Sequence, residues 1–392
     1  MIHRLKNFPI RTLPSFQQHF LTENMLLFDI ETTGLSAARD HIYCIGCGYR
    51  MNYEIITELF FAEDPAQEQE ILTAFFALLE NRTTVVTFNG NTFDIPFVQR
   101  RAALYKGLSA DKYPDLAQAF VQTTSPGPEC AASMSALTFI DLYREAIRMK
   151  SLLRLPSRRQ KSIEQFLGCN REDRYDGGQL IRIYHRYESD PDPDMLSLLL
   201  LHNEEDVRGM FDLVGLLSWY QLRDGAFVIT ELSEETDDGN SFYNIKICPK
   251  LPFPRSLSII NISPELSDTQ PAHASSGYGW LHLGKESGLI RLPIHHGALK
   301  HFYSDPENYV YLPEEDCAVH KSIGAFVDAS HRRKATKQNC YSRQECRYIS
   351  LPVKTADGFL RKEFRDKCSY LALPAEERDV KQLILRYFSV FF

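Results

Sequence analysis

Four carboxylates and one histidine stand where metal-dependent chemistry would need them. Asp29 and Glu31 are two residues apart at the end of the run 25–31 (MLLFDIE). That run reads as a buried strand, and residues two apart on a strand share a face. Asp94 ends the phrase Thr87-Phe88-Asn89-Gly90-Asn91-Thr92-Phe93-Asp94, between a β-branched run and a helical pattern. His202 and Asp206 lie four residues apart in the long apolar stretch 195–222, so one helix face carries both. Hydrolysis of a phosphodiester must activate a water and stabilise a departing oxyanion. Two divalent cations, Mg²⁺ or Mn²⁺, about 3.5–4 Å apart do both. Such hard cations need several oxygen ligands, and carboxylates from separate elements supply them while leaving room for substrate oxygens. A neutral imidazole nearby, with an intrinsic pKa of about 6.5, can take the proton of the attacking water.

These residues have to be positioned by a sheet and its helices. Strands are predicted over 25–31, 42–50, 53–62, 83–88 and 137–142, with a tight turn near Met51-Asn52. Helical periodicity covers 65–81, 91–106, 162–167 and 195–222, and 109–133 is weakly patterned. Three strands followed by alternating helices and strands imply a mixed α/β sheet with helices packed on it. Past Gly225 short β-like segments alternate with Pro, Gly and Ser breaks at 227–232, 242–247, 257–262, 279–283 and 289–294. Two helices are predicted there, at 319–329 and 378–388. The expected organisation is an arm over 1–24, an α/β domain over 25–223, and a mainly β (α+β) domain over 224–392.

The segments FDIETTGL, TFNGNTFDIPF and HNEEDV resemble the three exonuclease motifs of the DEDD nucleases, the third in the variant with a histidine before the last aspartate. The chain is similar to bacterial ribonuclease H-like exonuclease-domain proteins grouped with predicted RecB-type nucleases, over residues 25–222. FNGNTFDIPF also resembles a motif of family-B DNA polymerases, and LPSRRQKSIEQFLG at 155–168 resembles the stretch after the family's fifth strand. The resemblance implies a ribonuclease H-like fold and a two-metal 3′–5′ exonuclease acting on single-stranded DNA or RNA to release 5′-nucleotides. It implies Asp29, Glu31, Asp94 and Asp206 as metal ligands and His202 as general base. It also places Thr32, Thr33, Gly34 and Leu35 at the terminal nucleotide, where Gly34 permits close backbone approach and Leu35 is a wedge or a cover. Asn89 would meet ribose and Phe93 a base, although Phe93 suits a core position equally well. Two rivals are an endonuclease on the same fold and a nucleic-acid-binding adaptor with a vestigial site.

The formal net charge is −7 and the sequence pI about 6.0. Proteins that coat nucleic acid are usually basic, so contact here must be local. One basic run is Arg154, Arg158, Arg159 and Lys161. A second is Arg332, Arg333, Lys334, Lys337, Arg343 and Arg347, interleaved with Tyr341 and Tyr348 in a way that suits a single strand. Cys44-x-x-Cys47 has zinc-ligand spacing but no matching second pair, and on a strand the two residues face opposite ways. The 9 scattered cysteines suggest free thiols in a reducing cytoplasm. Neither a secretory leader nor a membrane span of 18 apolar residues is expected. Glu204 and Glu205 read as exposed helix charges, with Glu205 placed to tune Asp206. Asp141 reads as a supporting carboxylate or a helix cap, and Asp316 and His320 as structural.

Overall fold

The computed structural model describes residues 1–106, 108, 137–260, 262, 279–353 and 359–392; the weakly patterned stretch 109–133 lies outside them. The chain divides into two compact units, Met1–Ser218 and Trp219–Phe392.

The first unit is built on a six-stranded sheet. Its strands are β1 (Ile2–Pro9), β2 (Met25–Thr32), β3 (Ile42–Met51), β4 (Glu54–Phe61), β5 (Thr84–Thr87) and β6 (Thr138–Asp141). They lie in the order β1-β4-β3-β2-β5-β6. The first four form an antiparallel set, and β5 and β6 run parallel to β2. The helices are α1 (Ser15–Phe20), α2 (Glu68–Leu79), α3 (Asp94–Ala102), α4 (Leu142–Arg148), α5 (Lys150–Leu153), α6 (Gln160–Leu167), α7 (Gly177–Ser189) and α8 (Pro193–Leu213).

Strand alternation decides which residues meet which helices. Leu26, Phe28 and Ile30 of β2 share a core with Ile71, Leu72, Phe75 and Phe76 of α2 and with Ile95 and Val98 of α3. On the other face Tyr43, Leu59 and Phe61 pack with Leu180, Tyr184 and Tyr187 of α7 and Leu199 and Leu200 of α8. Asp29 and Glu31, out of phase with the first set, therefore face the α8 side. That helix lies against β2, β3 and β4. It comes close because β3 carries Gly46, where a Cβ would stand 2.1 Å from Asn203 Oδ1. Cys44 and Cys47 sit in the two opposite cores as buried thiols.

Several expectations are corrected. Residues 2–9 are no arm but the edge strand, held by its ladder to β4 and by ion pairs from His3 to Glu58 and Lys6 to Glu204, each 2.7 Å. Most of β1 is exposed, so no apolar alternation announced it. Glu204 is accordingly buried rather than a surface charge. The stretch 195–222 is not one helix: α8 ends at Leu213, and a 3-10 segment and a short helix α9 (Tyr220–Asp224) follow. Trp219 stacks on Phe253, centroids 4.3 Å apart, within the second unit. Finally, α7 was not anticipated, although Asp176 and Gln179 form a capping box and Leu180, Tyr184 and Tyr187 a single apolar stripe.

The second unit contains a five-stranded sheet, β7 (Phe227–Asp237), β8 (Asn240–Pro249), β9 (Leu257–Ile260), β10 (Trp280–Leu283) and β11 (Gly288–Pro293), in the order β7-β8-β11-β10-β9. Next in chain order are β12 (His295–Phe302), β13 (Tyr309–Leu312), β14 (Cys317–His320), a one-turn helix α10 (Lys321–Gly324), β15 (Arg333–Lys334), β16 (Tyr341–Leu351), β17 (Ser369–Leu373) and α11 (Glu377–Phe388). They make two three-stranded sheets, β12-β16-β17 and β14-β13-β15. The helix expected over 319–329 is replaced by β14 and α10, because Val319 is taken into a ladder opposite Val310. His320 caps α10 by accepting from Ser322 N–H, and Asp316 accepts from the Tyr311 and Tyr341 hydroxyls. Both roles are structural.

One buried carboxylate ties β3, α2 and α3 together. Glu68, fully buried at the start of α2, accepts from Ile42 N–H of β3 at 2.7 Å and from the Arg101 guanidinium of α3 and the Tyr105 hydroxyl. Arg101→Met leaves this carboxylate buried and unpaired, which should cost about 3–5 kcal/mol. Equilibrium urea unfolding of the variant beside the wild type measures it.

Candidate metal centre

The four carboxylates and His202 come together at one end of β2. Asp29 and Glu31 arrive on the α8 side of the strand. The ladder to β3 shifts register just past Glu31, where the turn 32–35 begins. Asp94 opens α3, and its Oδ1 accepts from Ile30 N–H at 3.2 Å, which draws it to the same strand end. The approach to Asp94 is fixed by Asp141, whose oxygens accept from Asn89 N–H at 2.8 Å and Asn91 N–H at 3.4 Å. Asp141 also caps α4 through Tyr143 N–H, so both of its expected roles are combined in one carboxylate.

From α8, His202, Asn203 and Asp206 face this set. His202 Nε2 lies 2.9 Å from Asp206 Oδ2 and 3.4 Å from Glu31 Oε1. Ligand atoms of Glu31, His202 and Asp206 all fall within 4.8 Å of one another, a spacing that one cation can bridge. Asn203, fully buried, donates Nδ2 to Asp29 Oδ2 at 3.0 Å and to the Asp29 carbonyl at 3.3 Å.

Around this centre stand further residues, of which the sequence singles out only Glu205 and Lys161. Asp173 Oδ2 accepts from His202 Nδ1 at 2.6 Å and from Lys161 Nζ. Glu205 accepts from the Glu172 and Asp173 backbone N–H groups at 3.0 and 2.8 Å, so it anchors the segment that presents Asp173. Arg171 makes a two-pronged pair with buried Glu164 of α6 and reaches Asp206 Oδ1 with its remaining Nη1. Gln160 Nε2 donates to Glu164 Oε1 at 3.0 Å and to the Asp206 carbonyl at 2.8 Å. The signal was faint, because Arg171 and Asp173 lie in an irregular stretch with no period. Of the first basic run, Lys161 turns inward to Asp173 while Arg154, Arg158 and Arg159 are exposed.

Electrostatics follow from crowding like charges where little water reaches. Burial, then the charges of Asp94, Asp206 and Glu31, push the Asp29 carboxyl well above its usual range. Burial is also the first cause for Glu31, pushed up to about 8, and for Asp94, pushed up to about 7. Burial would raise Asp206 as well, but His202 and Arg171 outweigh it and hold Asp206 low. Burial would lower His202, yet the hydrogen bond to Asp206 and the charges of Glu31, Asp206 and Asp173 raise it to about 9. Flanked by these carboxylates, the imidazole is biased toward its protonated form. Asp173 is held below its usual range: burial alone would raise it, but Lys161, Tyr175 N–H and His202 prevail.

The residues expected at the substrate sort unevenly. Thr32 Oγ1 donates to the Gly34 carbonyl at 2.7 Å, and Thr33 pairs with His41 through backbone and side chain. Gly34 backs onto the Asp40 carboxylate. Leu35 projects into solvent, 82% exposed. Asn89 is exposed at φ 62°, and its Oδ1 accepts from Thr92. Phe93 packs against the core and tilts onto Phe97, so the core reading describes it.

Fold and site together define the class. Residues 26–218 match the family model described as the RNase_H superfamily. That part of the chain is a ribonuclease H-like domain, its mixed sheet flanked by helices and followed by a mainly β region. No curated protein matches the sequence. Among solved structures, the chain is similar to a family B DNA polymerase from the hyperthermophilic archaeon Pyrobaculum calidifontis. The identity is 16%, over 52% of this chain and 25% of that one, at a TM-score of 0.35. It is also similar to E. coli ExoI in the zinc-bound ssDNA complex (13% identity, TM-score 0.25) and in an ExoI/SSB-Ct complex (14%, 0.25). Each of these matches covers 68% of this chain and 62% of that one. The chain thus spans about a quarter of the polymerase and less than two thirds of ExoI. Among the described residues, no helix is long and apolar enough to cross a membrane.

The shifts give a signed dependence on pH. Glu31 and Asp94 ionise less readily when folded than at their ordinary 4.5 and 3.8. Their contribution is therefore full below those values and lost as pH rises through about 7 to 8. His202, raised from 6.5 to about 9, acts in the same direction, and its contribution fades by about 9. In EDTA the melting temperature should fall as pH rises through this window. Saturating Mg²⁺ or Mn²⁺ should flatten the dependence, which differential scanning fluorimetry across pH would read directly.

Proposed function

We propose that the first unit is a two-metal phosphodiesterase that removes nucleotides from the 3′ end of single-stranded DNA or RNA. The observation that carries this reading is the convergence of Asp29, Glu31, Asp94 and Asp206, from three separated elements, into one buried cluster whose mutual repulsion calls for cations. The donor set fits: carboxylate oxygens dominate, as Mg²⁺ and Mn²⁺ require, and Glu31 and Asp206 lie within bridging distance. Bound cations would polarise the scissile phosphate and stabilise the leaving oxyanion.

The chain's own residues do the rest. Asn203 holds Asp29, and the backbone of Ile30 holds Asp94, so the oxygens are oriented before substrate arrives. Once the charge on Glu31 and Asp206 is compensated, the imidazole reverts toward neutrality. Nδ1–H then donates to Asp173, and the Nε2 lone pair faces the site to take the proton of the attacking water. Asp173 is thus a positioning residue that selects the useful tautomer, and Lys161 keeps Asp173 ionised. The turn 32–35 and the exposed Asn89 are assigned to the terminal nucleotide on the resemblance of the motifs that hold them. The 3′ to 5′ direction rests on the resemblance of the three motifs.

Short RNA and DNA strands labelled at the 5′ end, incubated with Mg²⁺ or Mn²⁺, should give a descending ladder that disappears with Asp29→Ala. His202→Ala should slow each step by about 10²–10⁴-fold, and Asp173→Asn by about 10–100-fold, with both variants still binding the strand. Absence of products on either sugar with either metal, or an undiminished rate in His202→Ala, would overturn the respective assignments.

A further inference from the structure

The second basic run does not work as the sequence suggested, since Tyr341 and Tyr348 are buried and have no face to offer a base. Arg343 and Arg347 are paired with Asp316, Glu345 and Glu234. The structure supplies a different aromatic. Phe326 is 93% exposed, and Ile323, three residues earlier on the same turn, is 61% exposed. Phe326 N–H donates to the Ile323 carbonyl at 3.1 Å, so the two side chains are carried by one short, folded turn.

That turn is held rigidly. His320 caps its start at Ser322 N–H, and Arg332 donates to the Gly324 carbonyl at 2.7 Å. Gly324 sits so close to β13 that a Cβ there would stand 2.2 Å from Val310 Cγ2. Phe326 and Ile323 thus expose apolar surface together on one turn whose backbone is fixed by its own bonds. Around it the charge is one-sided. Residues 321–337 hold Lys321, Arg332, Arg333, Lys334 and Lys337 against the single carboxylate of Asp328, in a chain whose acids outnumber its Lys and Arg by 51 to 44. Lys321, Arg333, Lys334 and Lys337 are exposed and form no ion pair among the described residues. Val310 and Tyr311 of β13 pair with Lys334 and Arg333 of β15, so these two cations belong to the sheet whose β13 packs against the turn at Gly324.

We propose that this surface binds a single-stranded nucleic acid, with Phe326 stacking on a base and Lys321, Arg333, Lys334 and Lys337 following the phosphates. A planar aromatic takes any base, and unpaired cations track the backbone by releasing counterions. This is a binding site in the second unit, separate from the carboxylate cluster, and it stands or falls without any cleavage.

The test uses the full chain in EDTA, where no hydrolysis competes, and a fluorescent single-stranded oligonucleotide read by anisotropy. Phe326→Ala should weaken binding about tenfold, and Phe326→Trp should restore it. Both variants should fold, because the side chain contacts little. Arg333→Gln with Lys334→Gln should reduce the slope of log K against log salt by about 1.4. Heparin, a polyanion without bases, should bind Phe326→Ala as it binds the wild type. Unchanged oligonucleotide affinity in Phe326→Ala would overturn the proposal and leave the knob to a protein partner. Equal losses for heparin and oligonucleotide would overturn the stacking contact. Because cleavage is measured separately, loss of the exonuclease reading would leave this result interpretable.

Discussion

Negative charge packed into a buried volume is the constraint that organises the first unit. Asp29, Glu31, Asp94 and Asp206 repel one another, and burial raises the cost of ionising each. A sheet end could not hold such a group without compensation. The compensation is graded: Arg171 and His202 hold Asp206 as an anion, a backbone N–H braces Asp94, and an amide braces Asp29. Asp29, Glu31 and Asp94 retain raised proton affinities. That remainder is the structural basis for expecting cations, because a divalent ion removes the same repulsion that protons otherwise relieve.

The supporting elements make sense as consequences. Glu164 would be an unpaired buried charge without Arg171, which meets it with two prongs and gives its remaining nitrogen to Asp206. Asp173 and Lys161 stand in the same relation behind His202. Helix α8 can present its polar triad of His202, Asn203 and Asp206 only because β3 has no side chain at Gly46. A glycine in one strand and an asparagine on a helix thus jointly set the position of a carboxylate on a third element.

The second unit follows a different logic. Its basic residues are mostly local, and where they meet carboxylates they are neutralised, as Arg347 is by Glu234. Among the described residues, Lys321, Arg333, Lys334 and Lys337 form no ion pair and belong to the same segment as the exposed Phe326. Tyr341 and Tyr348 lie seven residues apart on β16, so they point to opposite faces, and each is buried against its own neighbour, Phe302 and Tyr370 respectively.

The sequence by itself determined the strand ending in Asp29 and Glu31, the placement of Asp94 at a helix start, and the pairing of His202 with Asp206. Each depends on a period, two along a strand or near four along a helix, that is written into residue spacing. It also carries a capping box and an apolar stripe for α7. Only the tertiary structure decided that Asp173, Arg171, Lys161 and Asn203 surround that set. Their partners lie far off in the chain or in irregular backbone, where spacing carries no geometry. The edge strand Ile2–Pro9 was hidden for a related reason: it is held by ladder hydrogen bonds and ion pairs, not by buried apolar residues, so composition had nothing to record. Glu204 looked like a surface charge until that strand brought Lys6 against it. Burial belongs to the packed chain, and it decided which charges are braced, which aromatics are core, and that Phe326 is left in water.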